Sequence, residues 1–485
     1  MSWPHLARVG AGLCALAVAC APTPLEPLVP VGGTGPGPSP DQSPVTPAGH
    51  LSVAIPEAPG HLADPFGDDV AAQDVAGLWG LPLYRVDPAG QLRPGLVEAA
   101  LPVVTNSGLE VTLTLRRGSW SDGSPVTAVD VVETIELRRT GPRATQWHAL
   151  EAAEIVDDHT VQLSFCCAGV RWQHLLGTVG VLPVGARSAL DDHRQQVAVS
   201  GGWFRLVEHD PGRLLRFEAH AGGPLGAPQL ASVDVFIVPS FERALGLIDR
   251  GEIDAALGYL AIGAVTRATE LEGVTATAPA GGTWVGLDWR AGEPSERRAV
   301  GDSLAVDDFV TSLLDVGASV ATSPWADVEG PWRTGRGSGP QLPDGIVGGY
   351  PRGHDTLGAL ANAIERQVGG SVQLISENTP EFLAVARDEH DVALRIFRDP
   401  PRGSLTRWTT AGDVLAAETS DDPVLIEVGW KVLFDERRIE PLVRPTVAHA
   451  WRVGAIEGLR PSAWPGIGFW NVGSWTRPTG AESDP

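Results

Sequence analysis

Apolar and polar residues alternate at Leu51–Ile55, which marks a first strand running into Pro56 and the turn-rich Ala63-Asp64-Pro65-Phe66. Val70–Leu83 carries a helical pattern, and Leu83–Val86 a strand that ends at Asp87-Pro88-Ala89-Gly90. Val103–Arg116 looks like a hairpin, with apolar and polar residues alternating through Leu109–Leu115 after the turn Thr105-Asn106-Ser107-Gly108. Asp130–Arg139 predicts a helix with Thr127 as N-cap and Asp130 as the capping-box acid. Gly202–Glu208 and Leu214–Glu218 flank the turn Asp210-Pro211-Gly212. A strand at Val233–Val238, a helix at Ser240–Arg250 stopped by Gly251, and a strand at Ile253–Ala256 follow. Thr283–Leu287 reads as a strand, 296–316 as one amphipathic helical stretch, and the Pro- and Gly-rich 324–353 as irregular. A helix at 355–368, strands at 372–375 and 391–397, a helix near 424–433, and strands at 439–443 and 446–451 complete the chain. Strands and helices alternate without a fixed period, which predicts an α/β fold and excludes a repeat array.

The amino terminus follows a different rule. Residues 1–19 have Arg8 as their one formal side-chain charge and then a short apolar run, Val9–Ala19, which fits a secretory leader and is too short for a membrane span of about 20 residues. Leu16-Ala17-Val18-Ala19-Cys20 resembles the lipobox of bacterial lipoproteins, which implies acylation of Cys20; an ordinary signal peptide cut elsewhere is the alternative. Residues 20–49 are crowded with Pro, Gly, Ser and Thr and are expected to act as an extended tether. The expected attachment to a membrane is through this lipid only.

Composition then narrows the chemistry. The 36 Lys and Arg against 59 Asp and Glu give a net charge of −23, which argues against nucleic acid as a partner. Lys431 is the lone lysine, so a Gly-Lys-Ser/Thr phosphate loop is absent. The adjacent Cys166-Cys167 leaves two readings, a closed eight-membered ring or two packed thiols, of which packed thiols are the expectation. Gly301-Asp302-Ser303-Leu304 spells an esterase-like tetrapeptide, but it falls inside a predicted helix without an Asp-x-x-His partner near the chain's end. Asp388-Glu389-His390-Asp391 is expected to be a solvated strand entrance, since consecutive strand residues point in alternate directions and seldom converge on one ion. No metal, cofactor or catalytic residue is therefore predicted, and the chain is not read as an enzyme.

Motifs in order supply a resemblance. Leu92–Ala100, the Gly108–Arg116 hairpin and Trp120-Ser121-Asp122-Gly123-Ser124-Pro125-Val126-Thr127-Ala128-Val129-Asp130-Val131 resemble the peptide-class family 5 solute-binding proteins, receptors of ABC importers. Gly201–Gly212, Val233–Ala256 and the Arg297–Leu314 stretch resemble later blocks of the same family, over about residues 50–320. The resemblance implies a two-lobed periplasmic-binding-protein-like fold (class II, cluster C type) with discontinuous lobes. The expected division is 50–82, 200–280 and 452–478 for the first lobe's core, 83–199 for its accessory subdomain, and 281–451 for the second lobe. It also implies an extracytoplasmic monomer, in the periplasm or at the cell surface, that encloses a peptide-like or other small polar or anionic solute and delivers it to an ABC permease. The family's ligand-facing strand-to-loop segment corresponds to Asp391–Pro400, where the usual Trp and Asp-Tyr are missing and arginines intrude. Candidate ligand residues are Arg395, Phe397, Arg398 and Asp399 in that segment, with Trp284, Trp408 and Trp470; Trp120 and Trp203 are expected in the core. The alternative is a degenerate envelope or sensory lipoprotein with little or no ligand affinity.

Overall fold

A computed structural model of the chain describes residues 46–60, 62, 70–88, 91–99, 102–106, 109–140, 144–166, 172–177, 179–185, 199–260, 263–279, 283–314, 317–322, 342, 345–351, 355–377, 390–398, 435–462 and 468–478. Val45–Pro485 form one unit and Met1–Pro44 another; the leader, most of the tether and Cys20 lie outside the described residues, as does the helix expected near 424–433.

The first large sheet begins with β1 (His50–Ile55), in which Leu51, Val53 and Ile55 enter one core and Ala54 the core on the other face. Helix α1 (Val70–Trp79) follows, and after the accessory region come β2 (Phe204–Asp210), β3 (Leu214–Ala219) and β4 (Ser232–Ile237). Next are α3 (Phe241–Asp249), β5 (Ala255–Tyr259), α4 (Ala264–Thr269) and β6 (Val274–Thr277). The α3 start is the predicted one, with the Ser240 hydroxyl accepting from Arg243 N at 3.4 Å. With β13 (Ala448–Arg452) from near the chain's end, the seven strands run in the order β2-β3-β4-β1-β5-β13-β6. β1 is parallel to β4 and β5, and its two faces feed separate cores, one under α1 and the C-terminal tail, the other under α3 and α4.

The accessory region adds a four-stranded sheet, with α2 (Ala128–Thr140) beside it. The Thr127 backbone N–H donates to Asp130 Oδ2 at 2.7 Å, so the predicted capping acid does cap, and Asp130 Oδ1 also holds Val184 N at 2.9 Å. Trp120 and Trp203 are buried as expected. Cys166 is disulfide-bonded, which corrects the expectation of packed thiols; every other cysteine lies outside the described residues.

The second sheet is built from β7 (Thr283–Trp289), β8 (Ser319–Val320), β9 (Ile346–Pro351), β10 (Val372–Glu377), β11 (Val392–Arg398) and β12 (Ile439–Arg444), in the order β8-β12-β7-β11-β9-β10. Its helices are α5 (Pro294–Ser303), α6 (Val306–Leu313) and α7 (Asp355–Gln367). Two expectations fail here. The stretch 296–316 is two helices, because Leu304 takes extended backbone and Ala305 N is drawn to Gln367 Oε1 at 2.7 Å, letting both Leu304 and Val306 enter the core. The segment 324–353 contains β9, a strand parallel to both β10 and β11. Gly348 and Gly349 hid it from propensity, yet they are required: a Cβ on Gly348 would stand 2.5 Å from Val392 O.

The chain leaves the first sheet after β6, which ends at Thr277, enters the second at Thr283, and returns between Arg444 and Ala448. β13 belongs to the first sheet, so the return falls a few residues before the boundary expected at 451.

Candidate functional site

The two crossings are tied together. Val447 N donates to Pro279 O at 3.1 Å, making a hydrogen-bonded pair of connectors, the arrangement that bends as a hinge between two rigid sheets. Beside the connectors, Thr356 Oγ1, near the start of α7, donates to Leu260 O at 2.9 Å, just past the β5 residue Tyr259 that pairs with Ala448. The space between the carboxyl ends of the parallel strands β1, β4 and β5 and the second sheet is where an open α/β sheet places a ligand.

On the second sheet, antiparallel pairing of β7 with β11 sets Trp284 opposite Phe397, Gly286 opposite Arg395, and Asp288 opposite Ala393. All share the face turned away from α5–α7, since Val285, Leu287, Val392 and Leu394 fill the helical side. The Trp284 and Phe397 rings stack at 3.9 Å and 13°, both almost fully buried. Gly286 makes this possible, because a Cβ there would lie 2.6 Å from Trp284 Cζ3. Beside the stack, Asp288 accepts from Arg290 at 2.7 Å and from Arg395 at 3.1 Å. Arg395, one of the cations considered for an anionic ligand, is thus engaged by a carboxylate of its own lobe.

Three of the sequence candidates, Trp284, Phe397 and Arg395, are therefore brought together. Arg398 pairs with Thr283 at the strand's end, with its side chain outside the described set; Asp399 and Trp408 lie wholly outside the described residues. Trp470 belongs to the first lobe instead. Its indole donates to Arg460 O at 3.1 Å, and its carbonyl accepts from Arg85 at 3.5 Å. That guanidinium lies 4.7 Å over the Trp203 ring, and burial, then the Arg116 and Arg93 charges, pushes its pKa down to about 10.

The remaining motifs resolve into structure. Ser303 Oγ donates to Ala299 O at 2.7 Å inside α5, and Gly301 sits against the buried Glu440 carboxylate, where a Cβ would approach to 2.7 Å. Glu440 in turn pairs with Arg437 at 2.6 Å. His390 Nε2 lies 2.9 Å from Glu377 Oε1, while the Asp391 carboxylate accepts from Val347 N at 3.1 Å, so these neighbours serve separate partners. Among the described residues no three His, Cys, Asp or Glu side chains converge as metal ligands. Sequence reasoning missed Asp288, Thr356 and Leu260. Asp288 carried a faint signal, an acid within the apolar run Thr283–Trp289; the other two depend on how the lobes meet.

The sequence profile of Bacterial extracellular solute-binding proteins, family 5 Middle matches residues 91–338, half of the chain. No curated protein matches it by sequence. Among solved structures it is similar to the oligopeptide-binding protein AppA from Bacillus subtilis in complex with a nonapeptide, with TM-score 0.74, 17% identity, and coverage of 89% of this chain and 100% of that one. It is also similar to the binding protein AgaA of A. tumefaciens R10 in complex with agropinic acid (TM-score 0.73, 14% identity, 89% and 99% covered). A third is NikZ from Campylobacter jejuni in complex with Ni(L-His) (TM-score 0.71, 16% identity, 88% and 99% covered). At these identities the likeness establishes the fold alone, the two-lobed fold of periplasmic binding proteins.

Proposed function

The chain belongs to the bacterial extracellular solute-binding proteins of family 5, and from that premise we propose that it is the capture subunit of an ABC importer. It encloses a peptide-like or other small polar solute between its lobes and presents it to the membrane permease. The observation that carries the reading is the pair of connectors joined by Val447 N and Pro279 O, because a double crossing lets two rigid sheets close on a ligand without refolding. The receptor acts as a monomer outside the cytoplasm, tethered by residues 20–49 to a lipid on Cys20. The similar structures hold a nonapeptide, an organic acid and a nickel–histidine complex, so the fold accommodates several ligand classes. Engagement of Arg395 by Asp288 shifts weight from anionic towards neutral or zwitterionic solutes, with Arg398, Asp399 and Trp408 as the remaining candidates in that lobe. The same engagement, with the altered Asp391–Pro400 segment, favours the second reading, a degenerate lipoprotein with little affinity.

Thermal unfolding of the full chain against peptides, sugars, organic anions and metal–histidine complexes separates the two. A receptor gains stability by mass action from at least one, about 2.7 kcal/mol at a hundredfold excess over Kd. A flat response across the panel rejects capture in favour of the degenerate reading.

A further inference from the structure

Where the accessory region joins the first lobe, Arg85 and Arg93 stand directly opposite each other in the antiparallel pair Tyr84–Val86 and Leu92–Pro94, a placement in which like charges repel. Arg116 comes alongside, its backbone N–H donating to Leu96 O at 2.8 Å, two residues past Pro94. Arg93 is answered by Asp87 at 2.7 Å, but neither Arg85 nor Arg116 has a carboxylate partner among the described residues. Arg85 is held in place: its Nε donates to Pro94 O at 3.0 Å, a terminal nitrogen to Trp470 O at 3.5 Å, and its guanidinium lies over the Trp203 ring. Arg116 is unspent, since its side chain makes no hydrogen bond among the described residues and its Nε is buried. Both residues are partly exposed, so solvent reaches the pair. Burial, then the Arg116 and Arg93 charges, accounts for the low pKa of Arg85, as expected of cations that lack a counter-ion. Phe204, next to Trp203, pairs with Ala219, Glu218 with Ser232, and Ser232 with His50. The cluster therefore sits at the end of the sheet where β1 begins, opposite the carboxyl ends that face the second lobe.

We propose that Arg116 and Arg85 form a binding site for a phosphate-type oxyanion, separate from the solute cleft. The oxyanion accepts from the unspent fork of Arg116 and from a remaining N–H of Arg85, and supplies the negative charge that the chain, at −23 overall, does not place there. Arg93 adds its field while held by Asp87. The ring and two carbonyls that fix Arg85 keep the ordering cost of binding low. None of this depends on the receptor reading. Free phosphate and the headgroup of an anionic phospholipid offer the same chemistry. The amino-terminal segment enters the body at this end, with Ala48 N donating to Gln229 O at 2.8 Å and Gln229 N to Gly473 O, beside Trp203, at 3.3 Å.

The test measures binding of inorganic phosphate to the full chain by phosphorus NMR line broadening at constant ionic strength. It compares wild type, Arg116→Gln, Arg116→Lys and, as a remote exposed control, Arg250→Gln. Wild type should bind saturably, and Arg116→Gln should weaken binding about tenfold or more, the loss of one charge-assisted contact. Arg116→Lys keeps the charge without the fork and should fall between the two; it carries the comparison if Arg116→Gln does not fold. Arg250→Gln should bind as wild type. A second arm sediments the same proteins with phosphatidylcholine vesicles, with and without phosphatidylglycerol. Added binding to the phosphatidylglycerol vesicles that Arg116→Gln loses, without binding of free phosphate, assigns the site to a headgroup. No binding in either arm overturns the site, as does binding that Arg116→Gln leaves intact or that Arg250→Gln weakens equally.

Discussion

Replacing Asp288 by alanine tests what Arg395 is for. The Asp288 carboxylate is 4% exposed and receives two guanidinium groups, Arg290 at 2.7 Å (32% exposed) and Arg395 at 3.1 Å (20% exposed). Stripping one partner from a fully buried pair costs about 3–5 kcal/mol; because both arginines reach water in part, about 2–3 kcal/mol is expected here. For a lobe of this size that lowers the second lobe's unfolding transition by roughly 4–12 °C. Arg395→Ala should cost less, since Asp288 keeps Arg290. In the double variant the losses should fall short of additivity by about 1–2 kcal/mol, the coupling expected of residues in one ion-pair network. Scanning calorimetry of wild type, both single variants and the double variant measures all of this. Additive losses, or an Arg395→Ala protein that melts like wild type yet no longer responds to a stabilising solute, would refute the structural assignment and return Arg395 to the ligand.

Three further outcomes follow from local geometry. Gly473→Ala brings a Cβ to 2.3 Å from the Trp203 ring, and should destabilise the first lobe by about 1–3 kcal/mol in urea titrations. His449 donates from Nε2 to Ser462 O at 2.9 Å, and burial pushes its pKa down to about 4, so it stays neutral in the fold while the unfolded chain's histidine protonates near pH 6.5. Its contribution is therefore complete above about pH 6.5 and is lost as the pH falls towards 4, by roughly 3 kcal/mol in all, and His449→Gln should flatten that part of the stability–pH curve. Ser303→Ala should leave any hydrolysis of a generic ester at background level, since its hydroxyl is bonded to Ala299 O within α5; loss of a measurable esterase activity in that variant would contradict the assignment.

Much of this architecture was legible because it rests on local pattern. The alternation of Leu51–Ile55, the Ser240 cap and the Thr127–Asp130 box each state their structure within a few residues. What escaped depends on partners distant in sequence. β9 was hidden because Gly348 and Gly349 have no strand propensity, and their reason is the approach of Val392 and His390. The break between α5 and α6 is set by Gln367, far along the chain, and not by a proline or glycine at the break. In the site, residue types pointed to Trp284, Phe397 and Arg395, but only the register of β7 against β11 shows the rings stacked and the arginine facing Asp288. Thr356 carried no signal at all, because a single hydroxyl on an amphipathic helix is unremarkable until the opposite lobe is in place.

Enclosure of a solute is tested most directly by small-angle X-ray scattering of the full chain, alone and with each member of the solute panel. The account predicts that at least one solute reduces the radius of gyration, saturating at one molecule per chain, as the sheets fold together about the connectors paired at Pro279 and Val447. A radius unchanged by every solute, including any that raises the melting temperature, would contradict it.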